Sequence, residues 1–172
     1  MVLPILNPIK LLIVKPDETS TQPVIDFILS SREFNSCTSM SSVPDDLQSF
    51  QVIVIADTDC LSGSDEGRIA QFVGDGGGCV TLLNNGKPSK SFIGISITER
   101  MPSAPIRVDW TEHGKTLADR MPDQLTITDA LTPLTNIEDS ADVLLEANWR
   151  LKRYPVAVKE ERGRGEEKEK EK

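Results

Sequence analysis

At 172 residues the chain has the length of one domain, enough to bury roughly 70% of the surface its unfolded form exposes. Its 38% hydrophobic and 27% charged residues suit a water-soluble protein, and 5% aromatics leave Ile, Val and Leu to build the core. A net charge of −8 from 19 basic and 27 acidic residues repels a phosphate backbone; with no evident basic patch it argues against nucleic acid, and no run nears the ~18 apolar residues of a membrane span.

Residues 1–14 are apolar but broken by Pro4, Pro8 and Lys10. They lack a basic n-region and a small-residue cleavage pattern, and read as a lead-in to a first strand over residues 10–15, KLLIVK. Pro16-Asp17 turns the chain, and Thr19, Ser20 and Thr21 offer caps for a helix over residues 23–31. Val24, Phe27 and Ile28 fall on one face of that helix. Residues 34–43 form a weak, polar strand suited to a sheet edge.

Residues 50–85, FQVIVIADTDCLSGSDEGRIAQFVGDGGGCVTLLNN, are the most informative part of the chain. QVIVIA is continuous and β-branched, as in a strand covered on both faces. Ser62 or Ser64 caps a helix whose first turn holds Asp65 and Glu66 and whose stripe is Ile69, Phe72 and Val73. Gly76-Gly77-Gly78 then turns straight into a second buried strand. This is a βαβ unit, and in open parallel sheets ligands sit beyond the carboxyl ends of the strands. Those ends are Asp57-Thr58-Asp59-Cys60 and Asn84-Asn85-Gly86.

Beyond Gly86 the pattern loosens. Residues 92–97 resemble a short apolar element, residues 106–110 a strand, and residues 126–135 are mixed. Residues 141–147 and 154–158 read as two late strands joined by a charged turn. The expected organisation is an α/β domain over residues 1–158, with a mainly parallel sheet in a three-layer sandwich, and a charged tail over residues 159–172 that carries no apolar side chain.

The strand, acidic loop, helix ending FVGDGGG and immediate second strand resemble the class I glutamine amidotransferase-like superfamily, and within it the ThuA-like (trehalose utilisation) branch. The block from His113, HGKTLADRMPDQLTITDALTPLTNIEDSADVLLE, is similar to a series of that branch, and residues 155–165 to its closing turn. The resemblance spans about residues 10–165 and implies a flavodoxin-like, amidotransferase-like sandwich. It implies that a nucleophilic Cys would stand where this chain has Asn84-Asn85-Gly86. The His-x-Glu pair of true amidotransferases has no counterpart, since His113 is the only histidine, and Gly114 stands where the branch has Pro. The resemblance therefore implies a non-catalytic or degenerate member that binds a sugar-related small molecule or a protein partner, a second copy included. The alternative is a ThuA-like carbohydrate-related enzyme with its site at the carboxyl ends of the strands.

Cys60 and His113 are the weak catalytic candidates. Cys60 lies at the end of the best strand, but Asp57 and Asp59 beside it raise a thiol pKa that catalysis needs lowered. Cys37 and Cys79 read as small buried hydrophobes; three cysteines without CxxC spacing suit a reducing, cytoplasmic setting. Asp57 and Asp59 are candidate ligand-binding residues, able with Asp17 and Glu18 to grip a cation or simply to cap turns. Asn84 and Asn85 either keep an elbow turn or touch a ligand. His113 has no Cys, Ser or second His at useful spacing, which suits a structural role. No cofactor or metal is expected: the triple glycine follows a helix and enters a strand, the reverse of a phosphate-binding turn, and a cation site needs several oxygen ligands.

Overall fold

A computed structural model of the protein describes residues 9–17, 21–30, 36–82, 96–97, 101, 103–118, 121–122, 124–128, 131–137 and 139–161. The chain divides into two compact units, whose described residues run from 9 to 82 and from 96 to 161.

The first unit follows the order read from its sequence: β1 Lys10–Val14, α1 Gln22–Ser30, β2 Ser36–Met40, β3 Val52–Ile55, α2 Gly63–Gly74 and β4 Gly78–Thr81. The strands form one parallel sheet in the order β2-β1-β3-β4. From β1 the chain moves outward to β2, and from β3 it moves outward the other way to β4, so the winding reverses between β1 and β3. With right-handed crossovers, α1 and α2 fall on opposite faces. Leu11, Ile13, Val54 and Ala56 cluster with Ile25 of α1. By alternation Leu12, Val14, Ile53 and Ile55 point the other way, and all are buried. Polar β2 is an edge strand, as its composition required.

On α1 the buried face is not the expected one. Ile25 is fully buried and Ile28 partly so, whereas Val24 is 45% and Phe27 74% exposed. In VIDFIL, apolar residues occupy nearly every position, so periodicity alone does not choose the face; contact with Leu11, Ile13 and Cys37 does.

Ser62 caps α2 by a reciprocal capping box: its hydroxyl accepts from Asp65 N (3.2 Å), and Asp65 Oδ2 accepts from Ser62 N (2.8 Å). Ile69 and Phe72 form the buried stripe. Gly76 has φ +100°, the left-handed conformation that glycine tolerates. Gly77 meets a different demand, since a Cβ there would lie 2.2 Å from the Phe72 ring. Arg68 fastens the β2–β3 connection to α2: Nη1 donates to Pro44 O (2.9 Å) and Asp45 Oδ1 (2.8 Å), and Nη2 to Val43 O (3.2 Å) and Asp65 Oδ1 (2.5 Å).

The second unit differs from the expected mainly parallel sheet. Its elements are β5 Ser96–Ile97, β6 Ile106–Trp110, α3 Glu112–Lys115, β7 Gln124–Ile127, β8 Leu134–Thr135, β9 Asp142–Trp149 and β10 Lys152–Lys159. Strands β10-β9-β6-β7 form a separate antiparallel sheet, and β5 pairs with β8. A parallel pair needs a crossover of a dozen or more residues. The one helix described here, α3, is a single turn, and β9 reaches β10 through two residues. Those two, Arg150 and Leu151, have φ of +50° and +65°, the signature of a type I′ hairpin turn. Met101, Ile106, Val108 and Ala147 centre this unit's core. The residues expected as a tail lie beyond the described residues from position 162 onward.

Replacing Arg68 with Ala is expected to lower unfolding free energy by about 2 kcal/mol in urea titration. Arg68→Lys should recover only part of it, because an ammonium cannot reproduce the planar fork. Acid should weaken the same region. The Asp65 carboxyl is held below the usual carboxylate range, chiefly by hydrogen bonds from the Ser62 hydroxyl and backbone and also by Arg68. Its stabilisation is therefore complete above the unfolded value of about 3.9 and is lost as pH falls below it through the lower folded value. An Asp65→Asn variant should show a smaller drop in urea midpoint over that acid range than the wild type; an equal drop would assign the acid sensitivity elsewhere.

Candidate functional site

The winding reverses between β1 and β3, and open α/β sheets bind ligands in the crevice beyond the carboxyl ends of the strands at such a point. Two segments leave the sheet there. After β1 come Lys15 and Asp17; after β3 come residues 56–62, leading into α2. Thr21 Oγ1 donates to Ala56 O (3.3 Å) and so ties the start of α1 to the end of β3. Lys15 Nζ donates to Gln22 Oε1 (3.0 Å).

Asp57 caps a single 3-10 turn, Thr58–Cys60, its Oδ1 accepting from Asp59 N (2.9 Å). The Cys60 thiol donates to Asp57 O (2.8 Å). Burial pushes that thiol's pKa up, and the Asp57 charge pushes it further, with smaller contributions from Asp65 and Asp59. This agrees with the reading of acidic neighbours in the sequence and leaves Cys60 a poor nucleophile. Burial likewise pushes Cys79, on β4, up to about 11.

Glu66 was legible only as a dipole-favouring residue in the first turn of α2. It stands three residues before Ile69 and six before Phe72, on the stripe that faces inward. Its Oε1 is buried without a hydrogen-bond partner among the described residues. Buried carboxylate oxygens are ordinarily hydrogen-bonded, which sets this one apart. The sequence signal existed, a charged residue continuing an apolar stripe at the ligand end of the sheet.

The other expected site residues divide. Asp17, Asp57 and Asp59 stand at the same sheet end, and among the described residues no group of three or more His, Cys, Asp or Glu is arranged to hold a metal. Glu18, Asn84 and Asn85 lie outside the described residues. His113 belongs to the second unit, on the helical turn α3. Thr111 caps that turn, accepting from Gly114 N (3.1 Å), and its own N–H donates to Leu144 O (3.0 Å). A Cβ on Gly114 would lie 2.1 Å from Leu144 O, so α3 lies directly on the β9 backbone. That packing sets His113 Nδ1 2.5 Å from Asp142 Oδ1, with the histidine side chain 62% exposed. Asp142 was not singled out in the sequence, where nothing marks it as the histidine's neighbour.

An open cleft of about 920 Å³ lies at the other end of the first unit's sheet. It is bordered by Gln51, just before β3, and by Gly76 and Gly77, just before β4. It is therefore not the crevice at the winding reversal.

No family profile and no curated protein matches this sequence. Among solved structures, a ThuA-like protein of Bacteroides uniformis aligns with a TM-score of 0.68 at 14% identity, covering 90% of this chain and 78% of that one. The fold is ThuA-like. At this identity the likeness concerns fold alone, and at that level it bears out the resemblance read from the sequence. A β-galactosidase of Bifidobacterium adolescentis aligns over 89% of both chains at 16% identity with a TM-score of 0.37, too low to inform the reading. Among the described residues no helix of this ThuA-like fold is long and apolar enough to cross a membrane.

The raised thiol values make a direct expectation. At pH 7.5, iodoacetamide should alkylate Cys79 about a hundredfold or more slower than a free cysteine, and Cys60 slower than free cysteine too. Both rates should climb through alkaline pH. Fast modification of Cys60 at neutral pH, read by peptide mass mapping, would contradict the acidic environment described here.

Proposed function

We propose that this chain is a non-catalytic ThuA-like domain that binds a small polyhydroxylated, sugar-related ligand in the crevice between β1 and β3, in a cytoplasmic setting. The observation that carries the reading is the acceptor-rich loop after β3, where Asp57 and Asp59 stand at the carboxyl end of the sheet, followed by the first turn of α2, where the buried Oε1 of Glu66 has no hydrogen-bond partner among the described residues. A neutral polyol supplies hydroxyl donors, and Asp57, Asp59 and Glu66 supply carboxylate acceptors. Hydrogen bonds to charged groups contribute about 1.5–3 kcal/mol each, so a few suffice for selective binding. Against turnover stand the raised Cys60 thiol and the absence of any thiol at positions 84–86, where the resembled family would carry its nucleophile.

The test is an amide NMR titration with mono- and disaccharides, trehalose included. Saturable shifts should appear in residues 15–21 and 56–66, and Glu66→Leu should weaken binding at least about tenfold. The same substitution should stabilise the free protein by about 1 kcal/mol, since it removes an unsatisfied buried acceptor. Absence of saturation by every sugar, or binding indifferent to Glu66→Leu, would sink the proposal.

A second reading, a carbohydrate-related enzyme, has one observation in its favour: the His113–Asp142 pair resembles the base and orienting carboxylate of hydrolytic sites. Glycoside hydrolysis that vanishes in His113→Gln while sugar binding persists would establish it.

A further inference from the structure

We infer that the β9–β10 hairpin tip of one copy of this chain docks into the acidic cleft of another copy, so that the protein self-associates through two different patches. The tip is built against its own stability. Arg150 and Leu151 both occupy the left-handed region, where Asn and Gly are at ease and other residues are strained. Leu151 is also fully exposed, at 108%. A two-residue turn of ordinary composition would have neither defect. Contact with an apolar surface offsets both, since it removes Leu151 from water and fixes the turn that presents it.

The charge around the tip indicates what it meets. Arg150 stacks over the Trp149 ring at 5.6 Å, Lys152 is exposed, and Arg153 is 74% exposed with a 3.5 Å contact to Glu146. Three cations thus surround one exposed leucine on a chain of net charge −8. The residues had read in sequence only as a charged turn; the hairpin gathers them at one point.

The first unit offers the matching surface. The cleft of about 920 Å³ has Asp45, Asp46 and Asp75 among its acidic residues and Leu47, Phe50 and Phe72 among its apolar ones. Arg68 is committed to Asp45 and Asp65. Asp46 and Asp75 make no ion pair among the described residues, and both are exposed. The volume is at the upper end of the ligand-pocket range, which suits a hairpin tip better than a single side chain. Leu47 and Phe72 are buried and form the floor, so Leu151 would seat chiefly against half-buried Phe50 while Arg150 and Lys152 meet Asp46 and Asp75. Tip and cleft are different patches, so the contact is heterologous unless two copies exchange tips about a two-fold axis.

Sedimentation velocity of the full chain over a range of concentrations and salt tests this. The expected result is reversible self-association that weakens as salt rises. Leu151→Gly should weaken it about tenfold while raising the thermal midpoint, a combination that general unfolding cannot produce. Asp46→Lys with Asp75→Lys should abolish self-association, as should Arg150→Glu with Lys152→Glu. Mixing those two double variants should yield a complex, because each retains the partner patch in complementary charge. A wild-type chain that stays monomeric at about 1 mM in low salt overturns the inference. So does association that survives Leu151→Gly and the cleft variant unchanged. Binding of a polyglutamate peptide by a monomeric chain through the same tip would assign the hairpin to a foreign acidic partner and also overturn self-docking.

Discussion

Leu11 to Val14 of β1 and Ile53 to Ile55 of β3 run side by side with almost no surface in water. Buried backbone of that kind has to pair completely, and parallel neighbours on both sides do so. The chain has no freedom to place polar groups along these strands, so they collect where the strands stop. The polar carboxyl end of the sheet is thus imposed by the core. Asp57, the thiol of Cys60 and the first turn of α2 follow one another there because the unbroken run of buried positions ends at Ala56, the residue after β3.

Within that short run, one residue does opposing things. The carboxylate of Asp57 holds the 3-10 turn in shape and its carbonyl accepts the Cys60 thiol proton, while its charge makes that proton harder to remove. A catalytic thiol is surrounded by groups that stabilise an anion; here the surroundings stabilise the neutral form. The loop is better suited to accepting hydrogen bonds than to attacking a carbon.

How legible all this was depends on which interactions are local. The strand β3 and the glycine turn after α2 depend on neighbours a few residues away, and the sequence displayed them; it left the cap of α2 between Ser62 and Ser64, and the reciprocal box decides for Ser62. The face of α1 depends on a sheet formed by distant residues, and an almost uniformly apolar VIDFIL gives no preference of its own. The antiparallel sheet was missed because a strand's composition does not name its partner, although the short connection at Arg150-Leu151 already forbade a parallel pair. Asp142 was missed for a related reason: its approach to His113 exists only because α3 lies flat on β9. Glu66 was visible as a charge but not as an orphan, since burial of one oxygen is a property of the packed helix.

Gly114 sets how closely α3 can approach β9. A Cβ there would lie 2.1 Å from the Leu144 carbonyl oxygen, so any side chain would have to prise the turn off the strand, and His113 away from Asp142 with it. The spacing of two ionisable groups is thus metered by a residue that has no side chain and no charge. A change at Gly114 would be read out one residue away, in the ion pair rather than in the turn itself.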